Sequence, residues 1–294
     1  GPLFLLQTEI SSIYKRQGKV RKVHNLIFVP TLDDADRLSQ RLELVGNLHS
    51  DGRPILGLDS RDLLEMTLDV CPEAVLIPAH VWTPWFALFG SKSGFDRLED
   101  CFDDLSSHIF ALETGLSSDP GMNRMVSQLD GYALISNSDA HSPAKLGREA
   151  NLLDIDRSYT GLYNAIQNGE GFLGTVEFFP EEGKYHLDGH RNCNLCLTPD
   201  ETLKYGGKCP VCGKKITIGV LNRVTQLADR PEDFVLPDML PFESLVPLPE
   251  VIGASLSLSA ASKKTAKLYE EMLQKIGPEF YILRQAPIEE IRAV

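Results

Sequence analysis

From residue 1 to about 180, short apolar runs alternate with stretches of helical periodicity. The runs LFLLQTEIS at the start, NLIFVP (25–30), AVLIP (74–78), HIFALETG (108–115) and YALISNSD (132–139) read as strands, and helices are expected around Asp33 to Val45 and Ser60 to Val70. Thr31 precedes an acidic first turn and Ser60 precedes Arg61-Asp62, both of them helix start signals. This alternation predicts an α/β fold with a layered or barrel sheet at its core.

Between about Pro180 and Ile218 the pattern changes to turn-rich sequence with too few apolar residues for a core of its own. A short helix (Leu221 to Leu227), a Pro-rich connector and two helical stretches, Pro249–Leu258 and Ser262–Ile276, follow. The expected division is a domain over 1–180, a small module over 181–220 and a helical region over 221–294.

Composition changes little in this picture. Hydrophobic residues at 43% and charged residues at 24% of the 294 are ordinary for a globular chain. No window approaches the roughly 20 apolar residues of a membrane span, and LFLL is too short for a signal-peptide core, so the cytoplasm is expected and a membrane partner is not. Gly1-Pro2 reads as a cloning remnant, and the immediate start on a strand suggests a natural protein that begins earlier. A formal net charge of −12 opposes nucleic-acid binding in sum. The basic residues are nevertheless clustered: Lys15, Arg16, Lys19, Arg21 and Lys22 lie together without an acid, and Lys204, Lys208, Lys214 and Lys215 surround a cysteine-rich segment. Each run reads equally as a solvated loop or a phosphate-facing patch.

Four of the six cysteines form the pattern Cys193-x2-Cys196-x12-Cys209-x2-Cys212. Two thiolate pairs at this spacing clamp opposite sides of a tetrahedral Zn²⁺, and four protein ligands leave no position for reacting water. The predicted role is structural; a redox dithiol is the alternative. Cys71 and Cys101 sit in apolar contexts, which points to a reducing compartment.

Two apolar runs end on potential metal ligands. Asp139 and His141 follow YALIS, where an i, i+2 pair in extended chain points to one side, and His80 follows AVLIP. Carboxylate and imidazole at strand ends suit a catalytic divalent metal, although a lone His after a strand is more often an ordinary polar loop residue. No G-x-S-x-G elbow, P-loop or G-x-G-x-x-G fingerprint is present.

The segments TEI (8–10), HNLIFV (24–29), PAH (78–80) and NSDAH (137–141) resemble the later motifs of the polymerase and histidinol phosphatase (PHP) family. That resemblance implies a distorted (β/α)7 barrel binding two or three metals of the Zn²⁺, Mn²⁺ or Mg²⁺ type. Its ligands here would be Glu9 as a bridging carboxylate, His24, His80, Asp139 and His141, with His80, Asp139 and His141 at the reaction. His24 is implied by the resemblance alone, since it begins its apolar run instead of ending it. Longer blocks, NLHSDGRPILGLDSRDLLEM (47–66), PAHVWTPWFALFGSKSGFD (78–96), NSDAHSPAKLGREAN (137–151) and EFFPEEGKYHLDGHRNC (177–193), are similar to the endonuclease Q family.

The resemblance implies a DNA repair endonuclease that hydrolyses the phosphodiester on the 5′ side of uracil, hypoxanthine, xanthine or an abasic site. One departure stands out. The His-x-His motif that opens PHP proteins has no counterpart before Glu9, so the barrel is expected to be incomplete at its N-terminus and the chain to be weakly active or inactive. The His49-Ser50-Asp51 segment is the only local substitute and reads better as a substrate loop or structural turn. A phosphatase acting on a small ester, or an inactive DNA-binding fragment, are the other readings.

For DNA contact, Trp82 and Trp85 follow His80 on a turn and, with Phe86 and Tyr185, are candidates to hold a base taken out of the stack. Lys145 and Arg148 follow His141 and are placed to meet phosphate. Lys184, His186, His190 and Arg191 adjoin the cysteine module. For each of these the alternative is a core aromatic or a solvated loop.

Overall fold

The computed structural model describes every residue except Gly1 and Asp51, so the Asp51 of the His49-Ser50-Asp51 segment lies outside the described residues. The chain divides into two compact units, residues 1–242 and 243–294. The first unit is mixed α/β and the second is mainly helical.

The first unit opens with a long antiparallel hairpin, β1 (Leu6–Arg16) and β2 (Lys19–Val29). Gln17 and Gly18 form its tip, both with positive φ (52° and 72°), the two-residue geometry whose twist matches a hairpin. After α1 (Leu32–Glu43) comes β3 (Ile55–Leu56), parallel to β1; after α2 (Ser60–Val70) comes β4 (Val75–Pro78), antiparallel to β2, giving the order β3-β1-β2-β4. Thr31 caps α1 by accepting from the Asp34 amide, as expected. At α2 the cap is Asp59, which accepts from the Arg61 amide, and Ser60 is the first helical residue. The earlier acid wins because its carboxylate both fills the orphan donor and suits the helix dipole.

The chain continues through α3 (Glu99–Phe102), β5 (Ala111–Glu113), α4 (Pro120–Arg124) and β6 (Ala133–Ile135), with β5 and β6 paired in parallel. An antiparallel pair, β7 (Ala150–Leu153) and β8 (Phe172–Glu177), brackets α5 (Tyr159–Asn168). Strand β4 is buried at every position, which explains its unbroken apolar run. Ile10, Val23, Leu63, Leu64, Leu76, Trp82, Phe89 and Phe102 belong to one core. A second group, Leu26, Ile77, Ala111, Ile135 and Ile166, packs β2, β4, β5 and β6 against α5.

The cysteine-rich segment holds β9 (Asp188–His190), β10 (Leu195–Leu197) and α6 (Pro199–Lys204), and α7 (Val220–Leu227) follows it. Its own apolar cluster is only Leu197, Cys209 and Ile216, with Cys193 and Leu195 against it. Val220 and Val224 of α7 instead join the main core, so this helix belongs to the first unit.

In the second unit α8 (Leu248–Ser255), α9 (Lys263–Lys275), α10 (Glu279–Arg284) and α11 (Ile288–Arg292) pack around Leu248, Ile252, Met272 and Ile282. Glu279 ties its ends together, accepting from the Leu248 amide at 2.7 Å and the Tyr269 hydroxyl at 2.8 Å. No helix among the described residues is long and apolar enough to cross a membrane.

Candidate functional site

Glu9 and His24 meet because of the hairpin register. Glu9 lies opposite Leu26 and Ser11 opposite His24, so Glu9 and His24 are diagonal neighbours on one face of the sheet. His24 is therefore in the middle of β2, well inside a strand that starts at Lys19. His80 arrives from the neighbouring strand: Ala79 donates to the His24 carbonyl at 2.9 Å, and the chain then turns at His80, whose φ is 31°. The turn brings Nε2 of His80 to 2.9 Å from Nδ1 of His24, and Oε1 of Glu9 is 2.8 Å from that same nitrogen.

One ligand atom from each of these three residues lies within 4.8 Å of the others. Burial pushes the Glu9 carboxyl up, but the hydrogen bond from His24 and the charges of His80, His24 and Arg53 outweigh it and hold it at about 2. Burial dominates at His24 and lowers its pKa. At His80 burial is outweighed by Glu113, which raises it. His24 is buried, its Nε2 has no hydrogen-bond partner, and Phe86 stacks against it with ring centroids 4.7 Å apart.

A cavity of about 400 Å³ opens on this cluster and is lined by Glu9, His80, Glu113, Asn137 and Asp139. His141 is outside it. Its ring is exposed and turned back on its own loop, with Nδ1 at 2.9 Å from the Asp139 carbonyl. The expectation that Asp139 and His141 point together assumed extended chain between them. Asp139 instead adopts φ 44°, and a left-handed residue breaks the alternation. Arg148 braces this loop, donating from Nε and Nη2 to the Ser138 carbonyl at 3.0 and 2.9 Å. Lys145 lies on the 3-10 turn Pro143–Lys145 in the same loop.

One carboxylate of the cavity escaped the sequence reading. Glu113, buried at the end of β5, accepts from the His80 amide at 2.7 Å and from Asn137 at 2.8 Å. A carboxylate closing an apolar strand run was the visible signal.

The aromatics divide. Trp82 is fully buried, donates from Nε1 to Asn123 at 2.8 Å and packs on Phe89; it is a core residue, which corrects its assignment to DNA contact. Trp85 is exposed and meets Tyr185 edge to face at 5.9 Å. These two, with Lys184, His190, Arg191 and Cys196, line a cavity of about 360 Å³. His186 is buried with Nδ1 unpartnered, so it offers no surface to a phosphate.

In the cysteine module the ligand atoms of Cys193, Cys209, Cys212 and His190 lie within 4.8 Å of one another. Cys196 is exposed and outside the group, a difference from the four-thiolate expectation. The strand pairing explains it. His190 is opposite Leu195 and Gly189 opposite Cys196, so His190 and Cys196 project from opposite faces of the ribbon. Burial opposes ionisation of Cys209, but the amides of Cys212 and Val211 outweigh it and lower its pKa.

Comparison with known proteins places these residues in context. Residues 247–294 match the family described as the MJ0043 C-terminal domain. The chain is 33% identical over 224 residues to the uncharacterized protein MJ0043 of Methanocaldococcus jannaschii, covering 73% of this chain and 27% of that protein. It is 30% identical over 282 residues to the uncharacterized protein YqxK of Bacillus subtilis, covering 92% of this chain and 66% of that one. The chain therefore spans about a quarter of the first relative and just under two thirds of the second. Among solved structures, the lesion-specific endonuclease PfuEndoQ of Pyrococcus furiosus is 32% identical with a TM-score of 0.82, covering 97% of this chain and 69% of that one. A complex of endonuclease Q with a 27-mer duplex carrying an abasic lesion at the active site is 31% identical with a TM-score of 0.84, covering 97% and 70%.

Proposed function

The chain belongs to the endonuclease Q family, and from that premise we propose that it is a metal-dependent DNA repair endonuclease. It cuts the phosphodiester on the 5′ side of a deaminated base (uracil, hypoxanthine or xanthine) or of an abasic site. The observation that carries this reading is the convergence of Glu9, His24 and His80 beside a cavity that Glu9, His80 and Asp139 line. The first unit is read as part of a PHP-type distorted (β/α)7 barrel, followed by a zinc module and C-terminal helices.

The residues fit a divalent ion. A carboxylate and two imidazoles are a donor set for Zn²⁺ or Mn²⁺. Two ligand atoms, Oε1 of Glu9 and Nε2 of His80, crowd Nδ1 of His24 on a buried ring whose other nitrogen has no partner, and the three are better satisfied by a cation than by shared protons. Glu9, His24, His80 and Asp139 would hold it. When bound, such an ion supplies Lewis-acid stabilisation to the phosphoryl oxygens of the scissile ester.

The remaining parts of the site belong to the chain itself. Arg148 fixes the backbone that carries Asp139. The Trp85–Tyr185 cavity has an aromatic wall and cationic rim, from Lys184 and Arg191, suited to a base held outside the duplex. Cys193, Cys209 and Cys212 with a fourth ligand, His190 or Cys196, bind a structural Zn²⁺ that stands in for the core this module lacks.

End-labelled duplexes carrying deoxyuridine, deoxyinosine or an abasic site test the proposal. The expected result is a slow nick 5′ to the lesion, weakened because no His-x-His motif precedes Glu9, that requires Mn²⁺ or Mg²⁺, stops with chelator and is lost in Asp139→Ala. Hydrolysis of a small phosphate ester with no nicking would replace the endonuclease by a phosphatase, and lesion-selective binding without either reaction would leave a DNA-binding protein.

A further inference from the structure

We infer that Glu113 is a positioning residue that locks the two ligand-bearing strand ends of the candidate metal site, the His80 turn and the Asn137–Asp139 loop, to each other through its two carboxylate oxygens. The inference rests on the metal-site reading above, and it concerns a residue that is not itself among the ligands.

Three observations carry it. Oε2 of Glu113 accepts from the backbone amide of His80 at 2.7 Å and lies 3.4 Å from Nδ1 of the same ring. Oε1 accepts from Nδ2 of Asn137 at 2.8 Å, and Asn137 is in turn held by Asn151, whose Nδ2 donates to Oδ1 of Asn137 at 3.2 Å. The carboxylate is buried at the wall of the cavity, so water competes little for these bonds.

The arrangement has a chemical direction. With Nδ1 of His80 turned to the Glu113 carboxylate, Nε2 is the nitrogen presented to Glu9 and His24. A carboxylate behind an imidazole fixes which ring nitrogen carries the proton and leaves the other as a ligand. The same oxygen also holds the His80 amide in place at a residue whose φ of 31° a non-glycine side chain rarely adopts. Loss of the carboxylate therefore releases the His80 backbone, its ring orientation and the Asn137 tether together.

A polarity swap separates this coupling from general damage to the core. In Glu113→Gln one oxygen becomes a donor and opposes the Asn137 amide; in Glu113→Gln/Asn137→Asp the bond is remade with its direction reversed. Asn137→Ala cuts the tether from the other end. The readouts are hydrogen exchange of segments 78–83 and 136–141 in metal-free protein, and Mn²⁺ affinity by calorimetry.

Expected in Glu113→Gln are exchange about tenfold faster in both segments and Mn²⁺ binding weaker by roughly 10- to 100-fold, with the double variant recovering most of both. Asn137→Ala should likewise speed exchange at 78–83. Unchanged exchange in a folded Glu113→Gln protein, or loosening of 136–141 alone in Asn137→Ala, overturns the inference. Should the single variant fail to fold, recovery by the double variant supports the lock and failure of both variants with no effect of Asn137→Ala refutes it. Absence of Mn²⁺ binding in the unaltered chain would sink the metal-site reading, while the lock would still stand or fall on exchange.

Discussion

Gly115 leaves room for His80. A Cβ at Gly115 would sit 2.6 Å from the His80 Cβ and 3.0 Å from its Cα, and Gly115 has φ 60°, a conformation that suits glycine. The β5 strand end thus approaches the His80 turn at a distance only a hydrogen permits. Gly115→Ala should destabilise the first unit by about 1–3 kcal/mol and displace His80 from His24. Denaturant unfolding measures the first effect and loss of Mn²⁺ affinity the second; a variant as stable and as metal-competent as the parent would show the contact to be slack.

The two tryptophans should behave oppositely. Trp82 is buried with its indole N–H satisfied by Asn123, so Trp82→Ala should cost about 3–5 kcal/mol of stability. Trp85 is exposed beside Tyr185, so Trp85→Ala should leave unfolding nearly unchanged and weaken binding of an abasic or uracil duplex by about 1–3 kcal/mol relative to an undamaged one. Thermal melts and fluorescence anisotropy decide between this division and the reverse.

Glu149 is buried at the loop that carries Asp139, with Oε2 unpartnered, and burial together with the charge of Glu177 pushes its pKa up to about 9 from an ordinary 4.5. The folded chain keeps a proton there that the unfolded chain releases above about 4.5. Stability on this account is highest below that value and declines as pH rises toward about 9. Glu149→Gln removes the penalty, so the variant should match the parent near pH 4 and exceed it at pH 8 by about 1–3 kcal/mol. Glu177, itself raised to about 7 chiefly by burial, remains and leaves part of the pH dependence in place. A variant less stable at pH 8 than at pH 4, relative to the parent, would contradict this.

Zinc content should depend on Cys209, which combines burial in the small module core with knuckle amides aimed at its sulfur. Cys209→Ser should lose zinc and unfold the module, seen as protease sensitivity between residues 181 and 220. The fourth ligand is identified by comparing His190→Ala with Cys196→Ser: the one that lowers zinc per chain occupies the position.

Much of this protein was legible in its residues. The apolar second half of β2, the strand at 75–78, the helices that begin near Thr31 and Ser60, the cysteine knuckles and the placing of His80 and Asp139 just past strand ends are all local consequences of periodicity, caps and turn residues. Such features depend on neighbours a few positions away, which a sequence displays directly. What the tertiary structure decided depends on register and on single dihedrals. The pairing of Glu9 with Leu26 sets Glu9 beside His24, and the positive φ of His80 swings its ring onto both. The positive φ of Asp139 sends His141 away from the cavity that an extended chain would have shared with it. Ribbon alternation faces His190 toward the thiolates and Cys196 outward, and close packing takes Trp82 inside while Trp85, three residues later, stays out. A change of one residue in register, or of one backbone angle, reverses which side a group faces while leaving composition and spacing untouched.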